Sequence, residues 1–291
     1  MKTRFIFSIL IATCVCTGAK AQLYVDISPG YGLNLAALQY GESTYSGGNS
    51  GHVQSKKVSL GTGLNFGAGA GYALNEHLGL ELGLQYLMNN VNAKNEFGYE
   101  NTGLYSDRNT YEDSWKTTML RVIPALRIMT GGEGKVQLYS KFGIVLGLMG
   151  KSVQNSKQTE VYTDQVTSSN SYTNVDEDTW EYKGGMGFGM MGSLGMNFMM
   201  NEKMSFYFEA NVIGQSWAPK SGTLTKSTSN GTDNLPGMTK SQTEVDYVNS
   251  YDYSSSPPSS GSPSKSLKDY YPMSCVSLNI GIHITLGGKS E

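Results

Sequence analysis

Apolar and polar residues alternate with a period of two in eight stretches of this chain. In the last stretch, residues 276–286, Val, Leu and Ile occupy every second position, with Ser, Asn, Gly, His and Thr between them. Because successive side chains of a β-strand point to opposite faces, each stretch predicts a strand with one apolar face and one small, polar face. The seven earlier strands are predicted at about residues 23–35, 62–74, 77–89, 115–130, 135–149, 181–199 and 203–217.

Short and long connections alternate between the predicted strands. Asn75-Glu76, Gly131 to Gly134 and Asn201-Glu202 predict tight hairpin turns. The long connections are rich in Ser, Thr, Asn, Asp, Gly and Tyr, and compact soluble domains rarely carry four of this size. Short turns at one end and long loops at the other are typical of bacterial outer-membrane barrels. The expected loops cover about residues 36–61, 90–114, 150–180 and 218–270.

Composition narrows the class of protein further. Charged residues make up 16% of the 291 positions, below the roughly 25% of soluble domains. A bundle of transmembrane helices needs apolar runs of about 20 residues, and the chain has none. Disorder of the whole chain fits poorly with 11% aromatic residues and a net charge of only -2. A glycine-rich β protein remains.

Residues 1–21 read as a secretory signal peptide, which leaves residues 22–291 as a single mature domain. Lys2 and Arg4 form its positive end, a short apolar stretch follows to Cys16, and Ala19-Lys20-Ala21 is an A-x-A cleavage site. Acylation at Cys14 is the alternative, although a lipoprotein signal prefers Gly, Ala or Ser where Thr13 stands.

The mature charge balance excludes one class of partner. Without Lys2, Arg4 and Lys20, the 22 basic residues fall to 19 against 24 acidic ones, so no nucleic acid is expected as a partner. Cys275 is then the one cysteine left, and a lone cysteine cannot form an internal disulfide.

Two closed barrels fit eight alternating strands, and they differ in which face is outside. A soluble, lipocalin-like barrel points its apolar face inward around a ligand. A membrane barrel points it outward into lipid. The polar face here is mostly Gly, Ser and Asn, which would make a poor soluble surface but suits the narrow interior of an eight-stranded barrel. The membrane barrel is therefore favoured.

The charges on the polar faces of the strands are balanced. Charges inside a barrel of low dielectric must pair, so we expect a salt-bridged plug rather than an open channel, although any one of these residues near a strand end could simply be hydrated. The three acidic and three basic members are Asp26, Glu81, Glu209, Arg121, Arg127 and Lys141.

Aromatic residues gather at the long-loop end of the predicted strands. Such residues form a girdle at the membrane interface of outer-membrane barrels, and we expect a girdle here. Its predicted members are Trp115, Trp180, Tyr182, Trp217, Tyr270 and Tyr271.

The chain resembles the OmpA/OmpX-like outer-membrane β-barrels over about residues 23–287, in the stand-alone form without a peptidoglycan-binding domain. Asn279, Gly281, Ile284 and Leu286 match the family's terminal signal for the barrel-assembly machinery, whereas many members end on an aromatic residue and this chain continues to Glu291. The resemblance implies an eight-stranded antiparallel up-and-down transmembrane β-barrel in the outer membrane. It also implies periplasmic termini, four loops at the cell surface, and contacts with outer-membrane lipid, lipopolysaccharide and that machinery.

Signals for catalysis or metal binding are weak. Gly187 to Gly192 fits G-x-G-x-x-G, but it lies inside a predicted strand rather than before a helix. The three histidines show no metal-site spacing, and the acidic run 176–178 reads as a solvated loop more readily than a Ca²⁺ site. No cofactor or metal is expected.

Three functions remain open. The preferred one is a non-enzymatic barrel, structural or adhesive, whose Tyr-, Ser- and Asn-rich loops bind an unknown extracellular ligand. The second is a small porin. The third is an enzyme acting on lipid A, with His52 near Ser50, Ser55 and Glu42 as the candidate residues.

Overall fold

A computed structural model describes residues 22–35, 38–45, 51–101, 103–131, 134–167, 170–252 and 259–286. Residues 38–45 are described by their backbone alone. The predicted signal peptide lies outside the described residues.

The described residues are almost entirely β. A 3₁₀ turn, Leu235–Gly237, and one short helix, α1 (Lys240–Thr243), interrupt the strands, and no helix in the described part is long and apolar enough to cross a membrane. The strands are β1 (Gln22–Asn34), β2 (Leu38–Tyr45), β3 (Gly51–Val58), β4 (Gly63–Ala73), β5 (Leu78–Asn101), β6 (Tyr105–Met129), β7 (Val136–Asp164), β8 (Tyr172–Lys183), β9 (Gly187–Met199), β10 (Met204–Trp217), β11 (Ser221–Ser229), β12 (Thr232–Asp233), β13 (Glu244–Val248), β14 (Ser264–Leu267), β15 (Tyr271–Pro272) and β16 (Cys275–Thr285).

Part of the sheet closes on itself. Going round, β1 pairs with β4, then come β5, β6, β7, β9, β10 and β16, and β16 pairs back with β1. Every one of these pairs is antiparallel. We call this circuit the ring; it confirms the predicted all-β, antiparallel barrel class, because a closed sheet leaves no exposed strand edge around its wall.

The apolar faces of the ring strands are on the outside. Leu194 is 71% exposed, Ile27 62%, and Phe142 and Leu278 60% each. The Gly, Ser, Asn and charged positions between them face the lumen, where Arg121, Arg127, Ser205 and Ser277 are almost wholly buried. The soluble barrel with an apolar interior is therefore wrong for this chain.

Two of the tight turns use the same side-chain chemistry. The Asn75 side-chain oxygen accepts hydrogen bonds from the backbone N–H groups of His77 and Leu78, both at 2.8 Å. The Asn201 oxygen accepts from Lys203 and Met204, both at 2.9 Å. An Asn that satisfies the turn's own N–H groups in this way reverses the chain in few residues. The third turn, residues 131–134, is only partly described.

The predicted long loops are wrong as structureless segments. β5, β6 and β7 run on far beyond the ring, and β8, β11, β13 and β14 continue the sheet from β7 outward. β2 and β3 pair with each other as a separate two-stranded sheet, and β2 lies beside β5. These segments lack an apolar face, but their many Thr, Val and Tyr residues favour strands, and the ring strands supply a hydrogen-bonding template. We call β8, β11, β13, β14 and residues 89–101, 105–117 and 151–164 the extension sheet.

The predicted strand at 181–199 is split in two. Gly184 and Gly185 have φ angles of +70° and +73°, which non-glycine residues rarely adopt, and they separate β8 from β9. A Cβ on Gly185 would lie 1.9 Å from the Ala218 carbonyl oxygen. The chain bends here from the ring into the extension sheet, and only glycine fits.

Candidate functional site

Five of the six predicted lumen charges meet in one cluster near the turn end of the ring. The Lys141 ammonium is 2.7 Å from Glu81 Oε1, 3.0 Å from Glu209 Oε2 and 3.9 Å from Asp26 Oδ2. Arg127 adds contacts of 3.2 Å to Asp26 and 3.5 Å to Glu81. All five side chains are at most 8% exposed. We call this group the charge cluster.

Two tyrosines and a histidine from neighbouring strands complete the charge cluster. Tyr24 Oη donates to Glu81 at 3.2 Å, and Tyr139 Oη donates to Glu209 at 3.0 Å. His283 Nδ1 lies 2.6 Å from Asp26 Oδ1. The Arg127 guanidinium also stacks 4.0 Å from the centre of the Tyr139 ring. Sequence reasoning missed these three residues as partners, although Tyr24 and Tyr139 share the parity of the lumen charges on their strands and His283 shares that of the other polar residues of β16.

Three lumen tyrosines each lie over a glycine on the adjacent strand. Tyr24 is paired with Gly71, Tyr139 with Gly195, and Tyr207 with Gly281. A Cβ on Gly71, Gly195 or Gly281 would come within 2.1, 2.3 or 2.5 Å of the facing ring. The glycine makes room for the ring to lie flat against the wall, which explains much of the glycine on the polar faces.

Arg121 is not part of the charge cluster, which corrects the prediction of one balanced set of six. It lies six positions before Arg127 on β6, fully buried, and none of its described contacts is a carboxylate. Its guanidinium donates to Gln215 at 2.8 Å, to Gln85 at 2.9 Å and to the Met273 carbonyl at 2.7 Å. Charge counting predicts that a buried arginine needs acceptors, but it does not reveal that neutral amides supply them.

Apolar residues separate Arg121 from the charge cluster. Ile123 and Ala125 lie between the two arginines on β6 and pack with Val145, Met191 and Ile213. A cavity of about 60 Å³ remains beside this layer, with Asp26, Glu209 and Asn279 in its lining. The side chains of the charge cluster and of this apolar layer therefore occupy successive parts of the lumen beside that cavity.

The mouth of the ring at the extension end holds a second apolar group. Trp115, Met119, Trp217, Met273 and Leu60 are each at most 5% exposed and pack together. Trp217 Nε1 donates to the Gly184 carbonyl at 2.9 Å. The prediction that Trp115 and Trp217 belong to an outward girdle is therefore wrong, because both have the parity of lumen residues and cap the lumen instead.

The other predicted girdle residues lie around the same mouth. Tyr182 and Tyr271 pack against the mouth group from its edge, with ring centres 6.1 Å apart. Trp180 stacks 6.3 Å from Tyr182 and is half-buried. Tyr270 is 66% exposed. The structure therefore divides the six predicted residues into buried, half-buried and exposed ones rather than a uniform belt.

The residues of the predicted assembly signal all lie at the end of the last ring strand. Asn279 and Gly281 face the lumen, where the Asn279 side-chain oxygen is buried without a hydrogen-bond partner among the described residues. Ile284 is half-buried, and Leu286 follows β16 and is 55% exposed.

The weaker chemical candidates do not come together in the described residues. His52 is exposed on β3, opposite Thr44, whereas Ser50 and the side chain of Glu42 lie outside the described part. The described residues contain no group of three or more His, Cys, Asp or Glu arranged to hold a metal ion. The acidic run 176–178 is not a loop but part of β8.

The extension sheet carries an ordered row of tyrosines near its far end. One face of this sheet continues the lumen surface of β5, β6 and β7, and we call it the inner face. On it, Tyr99, Tyr105, Tyr162 and Tyr172 stand on four strands with successive ring centres 5.8, 5.7 and 5.2 Å apart. Rings at this spacing stabilise neighbouring strands.

The fold agrees with what a comparison with known families finds. A family model described as "Outer membrane protein beta-barrel domain" matches residues 7–230, well over half of the chain. A search of curated proteins gives no match. The matched region contains most of the ring and the larger part of the extension sheet. The chain belongs to the outer membrane protein beta-barrel family, which places it in the outer membrane.

Proposed function

We propose that this protein is a non-enzymatic outer-membrane barrel that holds the extension sheet outside the cell, where it binds a partner. The eight strands of the ring would cross the membrane. The short turns and both ends of the mature chain would lie in the periplasm, and β2, β3 and the extension sheet would lie at the cell surface. Lipid and lipopolysaccharide would surround the ring, and the barrel-assembly machinery would insert it.

The dimensions of the ring support this orientation. A strand of about 9–11 residues, tilted by about 45°, crosses an outer membrane. The ring strands β1, β4, β9, β10 and β16 have between 11 and 14 residues. β7 has 29 residues, so at about 3.3 Å per residue its outer half projects roughly 45 Å further. Such a projection serves no purpose within the membrane.

The side chains inside the lumen support a closed barrel over a porin. The charge cluster, the apolar layer and the mouth group lie at three successive levels, where they would block the lumen. In planar bilayers we expect no steady conductance from the purified protein. Reproducible single-channel steps that grow with salt concentration would favour the porin instead.

The extension sheet is the observation that carries the binding function. A rigid scaffold that presents an ordered surface is how many proteins bind partners. Bacteria displaying the full chain should adhere to at least one member of a panel of immobilised purified proteins. Bacteria displaying a variant with residues 93–113 replaced by Asn-Gly should lose that adherence while keeping the same amount of folded barrel. Equal adherence by the two strains would refute the proposal.

A further inference from the structure

The two faces of the extension sheet differ in charge along β5, β6, β7 and β8: the inner face has acidic residues without basic ones, and the outer face has both. The strand registers place alternate residues on the inner face. These are the odd-numbered residues of 89–101 and 105–117 and the even-numbered residues of 152–164 and of β8. Among these described inner positions there is no Lys or Arg. The lysines and arginines within these segments all lie on the outer face.

Six carboxylates stand on the inner face, and their described hydrogen-bond donors are all neutral. Asp113 accepts from Gln154 and Ser156. Glu160 accepts from Tyr172 at 3.3 Å and from Asn174 at 3.1 Å. None of the six forms an ion pair with a described Lys or Arg side chain. They are Asp107, Asp113, Glu160, Asp164, Asp176 and Asp178.

Aromatic rings stand among these carboxylates. The row from Tyr99 to Tyr172 has half-exposed rings at its two ends, 47% and 46% exposed. Phe97 and Tyr111 form a further pair on the same face, with ring centres 6.1 Å apart. The side-chain oxygen of Asn95, which pairs across the strands with Tyr111, is buried and has no hydrogen-bond partner among the described residues.

The outer face is different because its described carboxylates on β5, β6 and β8 already contact lysine or arginine. Glu96 contacts Lys94 and Arg108, and Glu181 contacts Lys151 and Lys183. Glu177 lies 2.5 Å from Lys226 and 3.7 Å from Lys157. The hydrogen bond from Lys226 lowers the pKa of Glu177, as expected for a carboxylate held beside an ammonium group.

We propose that the inner face of the extension sheet binds an extended polypeptide segment rich in Lys and Arg. This inference rests on the proposed binding function and names the chemistry of its ligand. Aromatic faces attract guanidinium and ammonium groups, and carboxylates without cations attract them over longer range. Asp176 and Asp178 are two positions apart on one strand, about 7 Å, which is also the repeat of same-side residues in an extended peptide.

The test compares two variants with the same net charge. In the inner-face variant, Glu160→Gln, Asp107→Asn, Asp176→Asn and Asp178→Asn remove four charges. In the outer-face variant, E96Q, E112Q, E177Q and E181Q remove four from the opposite face. The full chain, folded in detergent, is titrated into a fluorescein-labelled peptide of alternating arginine and serine, and binding is followed by fluorescence anisotropy.

We expect the inner-face variant to bind at least about tenfold more weakly than the parent, and the outer-face variant to bind within about threefold of the parent. Tyr99→Leu with Tyr172→Leu should weaken binding severalfold without any change in charge, because the end rings of the row are lost. Rising ionic strength should weaken binding by the parent.

Several results would overturn the inference. They are no binding of the peptide by the parent, an equal loss of affinity in the two charge variants, or displacement of the bound peptide by millimolar Ca²⁺. Binding that appears only after deletion of residues 36–50 would also overturn it, since the chain itself would then cover the face. Failure of the ligand assignment differs from failure of the proposed function. If only the ligand assignment fails, bacteria with the inner-face variant will adhere as well as the parent, while those with the shortened chain will not.

Discussion

The ring and the extension sheet share three strands, but in the proposed orientation lipid surrounds the ring and water surrounds the extension sheet. β5, β6 and β7 pass through both; the β5–β6 register is continuous, whereas the β6–β7 register shifts by one residue between Thr118 and Leu120. In the ring their outer face is apolar and exposed, and their inner face is sealed by ion pairs and tyrosine rings. In the extension sheet both faces are polar. The backbone geometry is shared, so in the proposed orientation the change of side chains would mark where the surroundings change from lipid to water.

Ion pairs show the same contrast. Lys141 in the charge cluster is 5% exposed and contacts three carboxylates. Lys157 on the extension sheet is 46% exposed and contacts Glu177 at 3.7 Å. A buried pair leaves a costly charge behind when one partner is removed, whereas an exposed pair is exchanged for water at little cost.

The largest expected effect comes from removing these two lysines. Lys141→Met should lower the free energy of unfolding by about 3–5 kcal/mol, because Glu81 and Glu209 lose their cation inside the lumen. Lys157→Met should cost at most about 1 kcal/mol. Urea unfolding in lipid vesicles, followed by the gel mobility of the folded barrel, measures both. A similar decrease in the free energy of unfolding in the two variants would contradict the proposed difference between buried and exposed ion pairs.

A smaller effect is expected from filling the space under a lumen tyrosine. Gly195→Ala should destabilise the barrel by about 1–3 kcal/mol, since a Cβ there would lie 2.3 Å from the Tyr139 ring. Gly192→Ala on the same strand meets no atom within 4 Å and should change stability by less than about 0.5 kcal/mol. The same unfolding assay measures both variants. A Gly195→Ala variant as stable as the parent would show that the Tyr139 side chain is not fixed against the wall.

The tyrosine row should matter locally rather than globally. Tyr162→Leu removes ring contacts to Tyr105 and Tyr172, and should lower the opening free energy of β8 by about 0.5–1.5 kcal/mol. Amide hydrogen exchange of β8 measures this, and the ring strands should be unaffected. Tyr270→Leu, at an exposed position beside the ring, is the control. Faster exchange throughout the barrel would mean that the two regions unfold as one unit.

The smallest effect concerns the turn after β7. Backbone and side-chain hydrogen bonds from Thr167, Val166 and Asn170 lower the pKa of the Asp164 carboxyl to about 2. A lowered pKa means that this stabilisation is present above the unfolded value of about 3.9 and is lost as pH falls through about 2. The protection factors of the Val166 and Thr167 amides, corrected for the intrinsic exchange rate at each pH, should be constant near pH 4 and fall toward pH 2. Asp164→Asn should remove that pH dependence.

Much of the ring could be predicted from sequence because lipid and lumen impose strict alternation. The positions of the lumen charges were predicted from parity. The burial of Trp115 and Trp217 could have been predicted in the same way. Trp115 shares its parity with Arg121, and Trp217 shares its parity with Glu209 and Gln215. Interface aromatics are usually recognised by their position near strand ends, and that position outweighed parity here.

The extension sheet could not be predicted in the same way. Its strands alternate between two kinds of polar residue, so hydrophobic periodicity gives no signal. In the acidic run 176–178, Asp176 and Asp178 lie on the inner face, whereas Glu177 pairs with Lys226 on the outer face. Only the register between strands separates these charges. The separation of Arg121 from the charge cluster also depends on which strands meet across the lumen.

The most direct test of the account asks what surrounds each region. Single spin labels are placed at Leu82→Cys and Phe208→Cys on the ring and at Thr159→Cys and Thr173→Cys on the outer face of the extension sheet, in a Cys275→Ser background reconstituted into vesicles. The two ring labels should be relaxed by oxygen and shielded from a water-soluble nickel chelate, and the two extension labels should show the reverse. Equal access of the nickel chelate to all four sites would contradict a membrane-spanning ring with an exposed extension sheet.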